Sequence, residues 1–392
     1  MKTLRIAGAS LVASVLIAAG CGGGGGIGGT GQDAGTMRVS ISDAPACGYD
    51  SVNVTIERVR VNKSPTAGDD EAGWSEVVLS PARRIDLLTL TNGVLEDLGQ
   101  TSLPAGRYTQ LRLVLAANDA AHPLANSVVP TGGLETALDT PSAEQTGLKL
   151  NLDVDVPAGK VVDVALDFDA CRSVVRLGNS GRYNLKPVLS ATTVLSDAGQ
   201  RVVGYVDPSL AITGTTVSVQ SAGIVVKATA PDTTGKFVLY PVPIGSYDLV
   251  VSAAGHVTAV TTGVPVTLAA YTYVASAALP IAPSISTPAD RQVTGTVTPA
   301  SATVRALQTF GGNITVEVRS GIVDGLNGSF QLMLPNGAPV SSPYAADPLL
   351  LNFIADAGAA GRYSVEATSS GTSKAQAVDT SAPVAPLNFT FP

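Results

Sequence analysis

Polar and apolar residues alternate with a period of two along most of this 392-residue chain, the pattern of strands that bury one face. Val52-Asn53-Val54-Thr55-Ile56 alternates cleanly, and Val59 and Val61 resume after Glu57-Arg58. A slip of one residue there predicts a β-bulge. Tyr108 to Leu115 places Leu111, Leu113 and Leu115 on one face and Gln110 and Arg112 on the other. The longest stripe is Leu148, Leu150, Leu152, Val154 and Val156. After the turn Pro157-Ala158-Gly159-Lys160 it is answered by Val162, Val164, Leu166 and Phe168. These two runs predict an antiparallel hairpin with one dry face. No segment sustains a 3.6-residue period, so little helix is expected.

The strands fall into three groups, and the fold class predicted is all-β, three tandem antiparallel β-sandwich domains. The first spans 37–196, the second 199–279 and the third 290–392. The third reads as a diverged copy of the second. Thr294-Gly295-Thr296-Val297 answers Val203-Gly204-Tyr205-Val206, and Gly328-Ser329-Phe330 answers Gly235-Lys236-Phe237. Gly361-Arg362-Tyr363 answers Gly245-Ser246-Tyr247. The offset grows from 91–93 to 116 residues, so an insertion lies between Pro335 and Gly361. Pro280 to Pro288 would link the copies. Such a tandem suits a stalk or an extended binding surface.

Composition adds compartment and partners. Lys2 and Arg5 precede the apolar run Ile6 to Ala19, which is too short to span a bilayer comfortably and reads as a secretory leader, residues 1–20. Ala18-Ala19-Gly20 before Cys21 resembles a lipobox, although Ala18 stands where Leu is common. Cys21 is then the lipidated N-terminus, and 21–36, beginning with a glycine run, is a flexible tether. Gly22 after Cys21 favours the outer membrane of a Gram-negative envelope. In that oxidising compartment Cys47 and Cys171 are expected to form a disulfide, worth about 4–5 kcal/mol on the chain-entropy account; two separate buried thiols are the alternative. A net charge of -7 argues against nucleic acid as a partner. The membrane, reached through the lipid, and an envelope protein or glycan remain as partners.

Catalytic chemistry finds little footing. His122 and His256 are the only histidines, and no metalloprotease, phosphate-loop or nucleophile-elbow motif is present. The chain is therefore expected not to be an enzyme. The densest polar group is acidic. Asp153 and Asp155 share the outer face of the predicted hairpin with Lys149, and Asp163, Asp167 and Asp169 share the matching face of the return strand. Like charges facing one another destabilise a ladder, and a Ca²⁺ ion would offset that. A solvated face relieved by Lys149, Arg172 and water is the plainer reading.

Several separated motifs resemble one bacterial lipoprotein family. They are Ile41-Ser42-Asp43-Ala44-Pro45, Ile85-Asp86-Leu87-Leu88, Leu103-Pro104-Ala105-Gly106-Arg107-Tyr108, Gln145-Thr146-Gly147-Leu148-Lys149, Asp167-Phe168-Asp169-Ala170 with Ser173, and Tyr183 with Leu185-Lys186-Pro187. The family is domain of unknown function 4382. The resemblance implies an extracytoplasmic sandwich without assigned activity. Gln145, Thr146 and Lys149 invite a ligand reading, although a polar turn before a strand explains them equally well. Asp232 to Leu239, Pro243 to Leu249 and Ala254-Gly255-His256 are similar to the carboxypeptidase regulatory-like domain, a transthyretin-like sandwich that packs or binds and does no chemistry. By analogy with such sandwiches, a carbohydrate-binding or Ca²⁺-binding module is the second reading.

Overall fold

The computed structural model describes residues 34–43, 48–211, 214–346 and 351–392. Cys21, Cys47 and the leader lie outside them. The regular structure of the described chain is nearly all strand, with helices no longer than Pro141–Gln145.

The first sandwich faces a four-stranded sheet against a larger one. The smaller sheet runs Leu189–Val194, Val161–Phe168, Ala34–Asp43, Glu96–Pro104. The larger centres on Tyr49–Asn62, flanked by Ser75–Asp86, Ser127–Pro130 and Gly106–Leu115, with Leu148–Val156 at its edge. Met37, Val39 and Ile41 from one sheet and Val54, Leu111 and Val154 from the other are fully or almost fully buried between them. The bulge is where the alternation slipped: the register of Tyr49–Asn62 shifts between Ile56 and Arg58 against both neighbours.

The predicted hairpin is not formed. Leu148–Val156 pairs with Gly106–Leu115, whereas Val161–Phe168 pairs with Ala34–Asp43 and Leu189–Val194. The turn between them crosses from one sheet to the other, held by Gly159 N donating to Ala34 O and Thr36 N to Lys160 O, both at 2.8 Å. Both stripes are dry because they face each other across the core. The strand Ala34–Asp43, parallel to Val161–Phe168, took the edge that the hairpin would have used.

The later sheets repeat one another. In the second group Val202–Tyr205 pairs Lys236–Leu239, opposite a sheet containing Ile224–Thr229, Thr216–Ser221, Gly245–Ser252 and Ala259–Val266. In the third, Arg291–Thr298 pairs Ser329–Leu334, opposite Ile314–Gly321, Thr303–Phe310, Arg362–Ser369 and Thr372–Asp379. Gly235 and Gly328 lie at φ +82° and +69°, and a Cβ on either would come within 2.1 Å of the carbonyl of Val206 or Val297. Each of those carbonyls belongs to a residue whose N–H bonds back to the same glycine, at 2.8 and 2.9 Å. Tyr247 and Tyr363 donate to the carbonyls of Pro243 and Pro335, at 2.9 and 2.5 Å. Tyr108 does the same to Pro104 at 2.8 Å.

The insertion does not hang free. Its strand Val340–Pro343 pairs in parallel with Ala259–Val266, extending the second group's sheet. The 280–288 segment is also packed: Ile281 is 1% exposed, and its N–H donates to Tyr205 O at 2.8 Å. The three groups close on one another, which departs from the stalk expectation. Gly178 N donates to Asp324 Oδ2 at 2.8 Å and Gly325 N to Arg176 O at 3.0 Å, joining first to third. Lys186 Nζ reaches the carbonyls of Ser301 and Ala302. Asn92 accepts from Val238 N at 2.5 Å, joining first to second.

Candidate functional site

The five aspartates proposed for a metal are not brought together. Because Leu148–Val156 and Val161–Phe168 lie in opposite sheets, their outer faces point away from each other. Asp153 is held by Arg107 through two bonds of 2.6 and 2.9 Å, and Asp163 by Arg38 at 2.5 and 2.8 Å. Asp155 is exposed on the strand carrying Asp153. Asp167 is ion-paired to Lys227, and Asp169 caps the short helix Ala170–Ser173. No cluster of three or more His, Cys, Asp or Glu side chains suited to a metal exists among the described residues. Like charges avoid meeting because each strand has different neighbours.

Of the ligand residues suggested near the turn, Thr146 and Lys149 do not line the described cavities. Thr146 gives its carbonyl to Arg112 at 2.9 Å, and Lys149 is exposed opposite Arg112. The Gln145 side chain lies outside what is described. His122 is exposed beside Asp119, and His256 sits in another group with its Nδ1 2.9 Å from Ala254 O. Cys171 is not without a partner, while Cys47 lies outside the described residues.

The site that the structure does build lies where the three groups meet. A cavity of about 420 Å³ is walled by Asp169 and Arg172 from the first, Gln220 and Ser252 from the second, and Glu317 and Arg319 from the third. Gln220 bridges to the backbone of Glu317 in both directions, Nε2 to O at 2.8 Å and N to Oε1 at 2.7 Å. Burial pushes the Asp169 carboxyl up to about 6 against the pull of Arg172, and burial also raises Glu317. Burial lowers the Arg319 guanidinium below its usual value. Perturbed ionisable groups around a cavity of this size mark a candidate binding site.

Asp169 and Arg172 were singled out in the sequence for another role, whereas Gln220, Ser252, Glu317 and Arg319 were not, though a signal existed. Val225-Val226-Lys227 and Val316-Glu317-Val318-Arg319 set charges inside apolar strands, where an unpaired charge is costly. The two strands carry the same bulge. In the second group the register steps from Val219↔Lys227 to Gln220↔Val225, and in the third from Ala306↔Arg319 to Leu307↔Glu317. Lys227 and Arg319 therefore occupy equivalent positions. Lys227, 5% exposed in its side chain, meets Asp167 and Ser42. Arg319 meets Ser252 through Nη1.

A separate aromatic group lies on the second sandwich. Arg201 stacks 4.1 Å from the Tyr240 ring centre and 4.8 Å from that of Tyr271, which lies 6.4 Å from Tyr273. Tyr271 and Tyr273 are 36% and 49% exposed, leaving ring surface for a partner to cover.

Residues 34–187 match the family described as Domain of unknown function (DUF4382). No curated protein matches the chain. Among solved structures, a C-terminal interface mutant of the type II cohesin–X-dockerin complex from Acetivibrio cellulolyticus aligns at 25% identity and a TM-score of 0.20, over 22% of this chain and 59% of that one. The N-terminal interface mutant aligns at 24% identity with the same TM-score and coverage. The chain thus spans about three-fifths of the length of those structures.

Proposed function

We propose that this chain is a non-enzymatic binding protein of the cell envelope, lipid-anchored through Cys21 and facing outward from the outer membrane or into the periplasm. The observation that supports the reading best is the closure of three β units around a polar cavity. That architecture commits its charged groups to holding and recognising, and neither His122 nor His256 is among the residues that line the cavity. The leader and the Gly-rich tether support export and anchoring. Cys47 and Cys171 form a disulfide in that compartment, and the second and third groups are regulatory-like, transthyretin-like sandwiches.

Mass spectrometry of the native protein tests the anchor: a diacylglyceryl adduct on a new N-terminus at Cys21 is expected, and Cys21→Ser should move the protein from membrane to soluble fraction. An intact leader with no adduct overturns it. Hydrolase profiling of the wild type should stay flat; activity lost in His122→Ala or His256→Ala would reverse the non-enzymatic reading.

The exposed rings of Tyr271 and Tyr273, with Arg201 stacked between Tyr271 and the buried Tyr240, favour a second reading, a glycan-binding face, because exposed rings stack on sugar rings. A glycan array with Tyr271→Ala and Tyr273→Ala as controls decides it. Binding that both variants abolish supports it, and a flat array removes it.

A further inference from the structure

Lys227 and Arg319 sit at the same step of the same bulge in two copies of one sandwich, and each turns a cation into a junction between units. The copies differ in what meets that cation. The first group supplies Lys227 with a carboxylate, Asp167, and the Ser42 hydroxyl. Arg319 has the Ser252 hydroxyl and, at 3.5 Å, its neighbour's carbonyl Val318 O, both through Nη1. Among the described residues no carboxylate comes within ion-pair distance of it, and Nε and Nη2 have no acceptor.

The nearby acids are already engaged. Glu317 lies 3.6 Å from Arg305, which also binds Glu366 at 2.7 Å. Asp169 accepts from Arg172 N at 3.0 Å as a helix cap. Asp290, on the same wall, accepts from Gly255 N through Oδ2 at 3.0 Å while its buried Oδ1 has no partner, and its pull on Arg319 acts from beyond contact. A second cation, Arg172, shares the wall, its Nε 4.0 Å from Asp169. Arg319 is half-buried, so a ligand entering the cavity can reach its guanidinium, and the planar fork matches a carboxylate through two parallel bonds. The cavity of about 420 Å³ in front of it lies within the size range of small-ligand clefts. Thr216 and Ser320 add hydroxyls to the wall.

We propose that the junction cavity is a binding site for a small hydroxylated organic carboxylate, whose carboxylate meets Arg319 as Asp167 meets Lys227. The ligand completes from outside the ion pair that the second copy completes from within the chain. This goes beyond the envelope reading and stands or falls separately from it.

The test is calorimetric titration of the full chain in detergent with gluconate and galacturonate, with phosphate and sodium chloride at matched ionic strength as controls. Saturable binding of a sugar acid with Kd below about 1 mM is expected, weakened tenfold or more by Arg319→Gln. Independently of any variant, the same sugar acid should slow phenylglyoxal modification of Arg319 in the wild type, followed by peptide mass. Heats that sodium chloride reproduces reveal an ionic-strength effect only and overturn the proposal. So do binding by phosphate alone, unchanged affinity in Arg319→Gln, and modification of Arg319 that the sugar acids do not slow.

Discussion

The second and third sandwiches are two solutions to one sequence plan. Both close the first reversal with a left-handed glycine against a valine carbonyl, and both tie a tyrosine hydroxyl to a proline carbonyl upstream. In the second, the tyrosine lies four positions after that proline; in the third, twenty-eight positions after, and the bond survives. The extra residues were free to take another task and became a strand on the neighbouring sheet. The lesson is that the glycine and tyrosine fix the sandwich, while the segment between them and the bulge cation fix what each copy docks against.

The largest effect should come from breaking what the copies share. Gly235→Ala and Gly328→Ala each force a Cβ to within 2.1 Å of a backbone carbonyl at positive φ, and each should cost about 3 kcal/mol or more in denaturant unfolding. Comparable losses confirm equivalence. A loss in one copy alone would break it.

Next comes the contrast in cations. Lys227→Met leaves Asp167, 17% exposed in its side chain, without its ion-pair partner and should cost about 3 kcal/mol. Arg319→Met removes a half-buried charge that no carboxylate contacts, so the ligand-free protein should lose under about 1 kcal/mol. Equal losses would mean that Arg319 is structural, as Lys227 is.

A pH dependence is expected at the same two junctions. The first sandwich sends Asp167 to Lys227 and, two residues on, Asp169 to the cavity wall beside Arg172, Asp167 and Glu317. Burial raises the Asp169 carboxyl to about 6 in the folded protein, above its unfolded value near 4. The native state then binds more protons in that interval, so stability should fall as pH rises from about 4 to about 6, by on the order of 2 kcal/mol. Asp169→Asn, which keeps the helix cap, should flatten that slope in thermal melts taken across the interval. An unchanged slope would move the titration elsewhere.

Much of the site was invisible for a physical reason that the hairpin error also illustrates. Alternation is a local property with a period of two, so it placed strands, dry faces and the bulge at Glu57 correctly. It could not say that Leu148–Val156 and Val161–Phe168 face each other instead of pairing, because that depends on which distant strand takes each edge. The supposed acidic cluster dissolved with the hairpin. The charges that do converge come from three separated stretches, and only Lys227, Glu317 and Arg319, set among valines, carried a local hint.

By itself, then, the sequence determined the all-β class, the repeat of Gly235 in Gly328 and of Tyr247 in Tyr363, and the place of the insertion. Backbone sterics and side-chain periodicity act over a few residues and can be read there. Tertiary structure decided which sheet each strand joins, that the units close on one another, and that Lys227 meets a carboxylate while Arg319 faces a cavity. Those outcomes depend on pairing between residues far apart in the chain, where a buried charge takes whatever counter-charge the folded neighbours bring within reach.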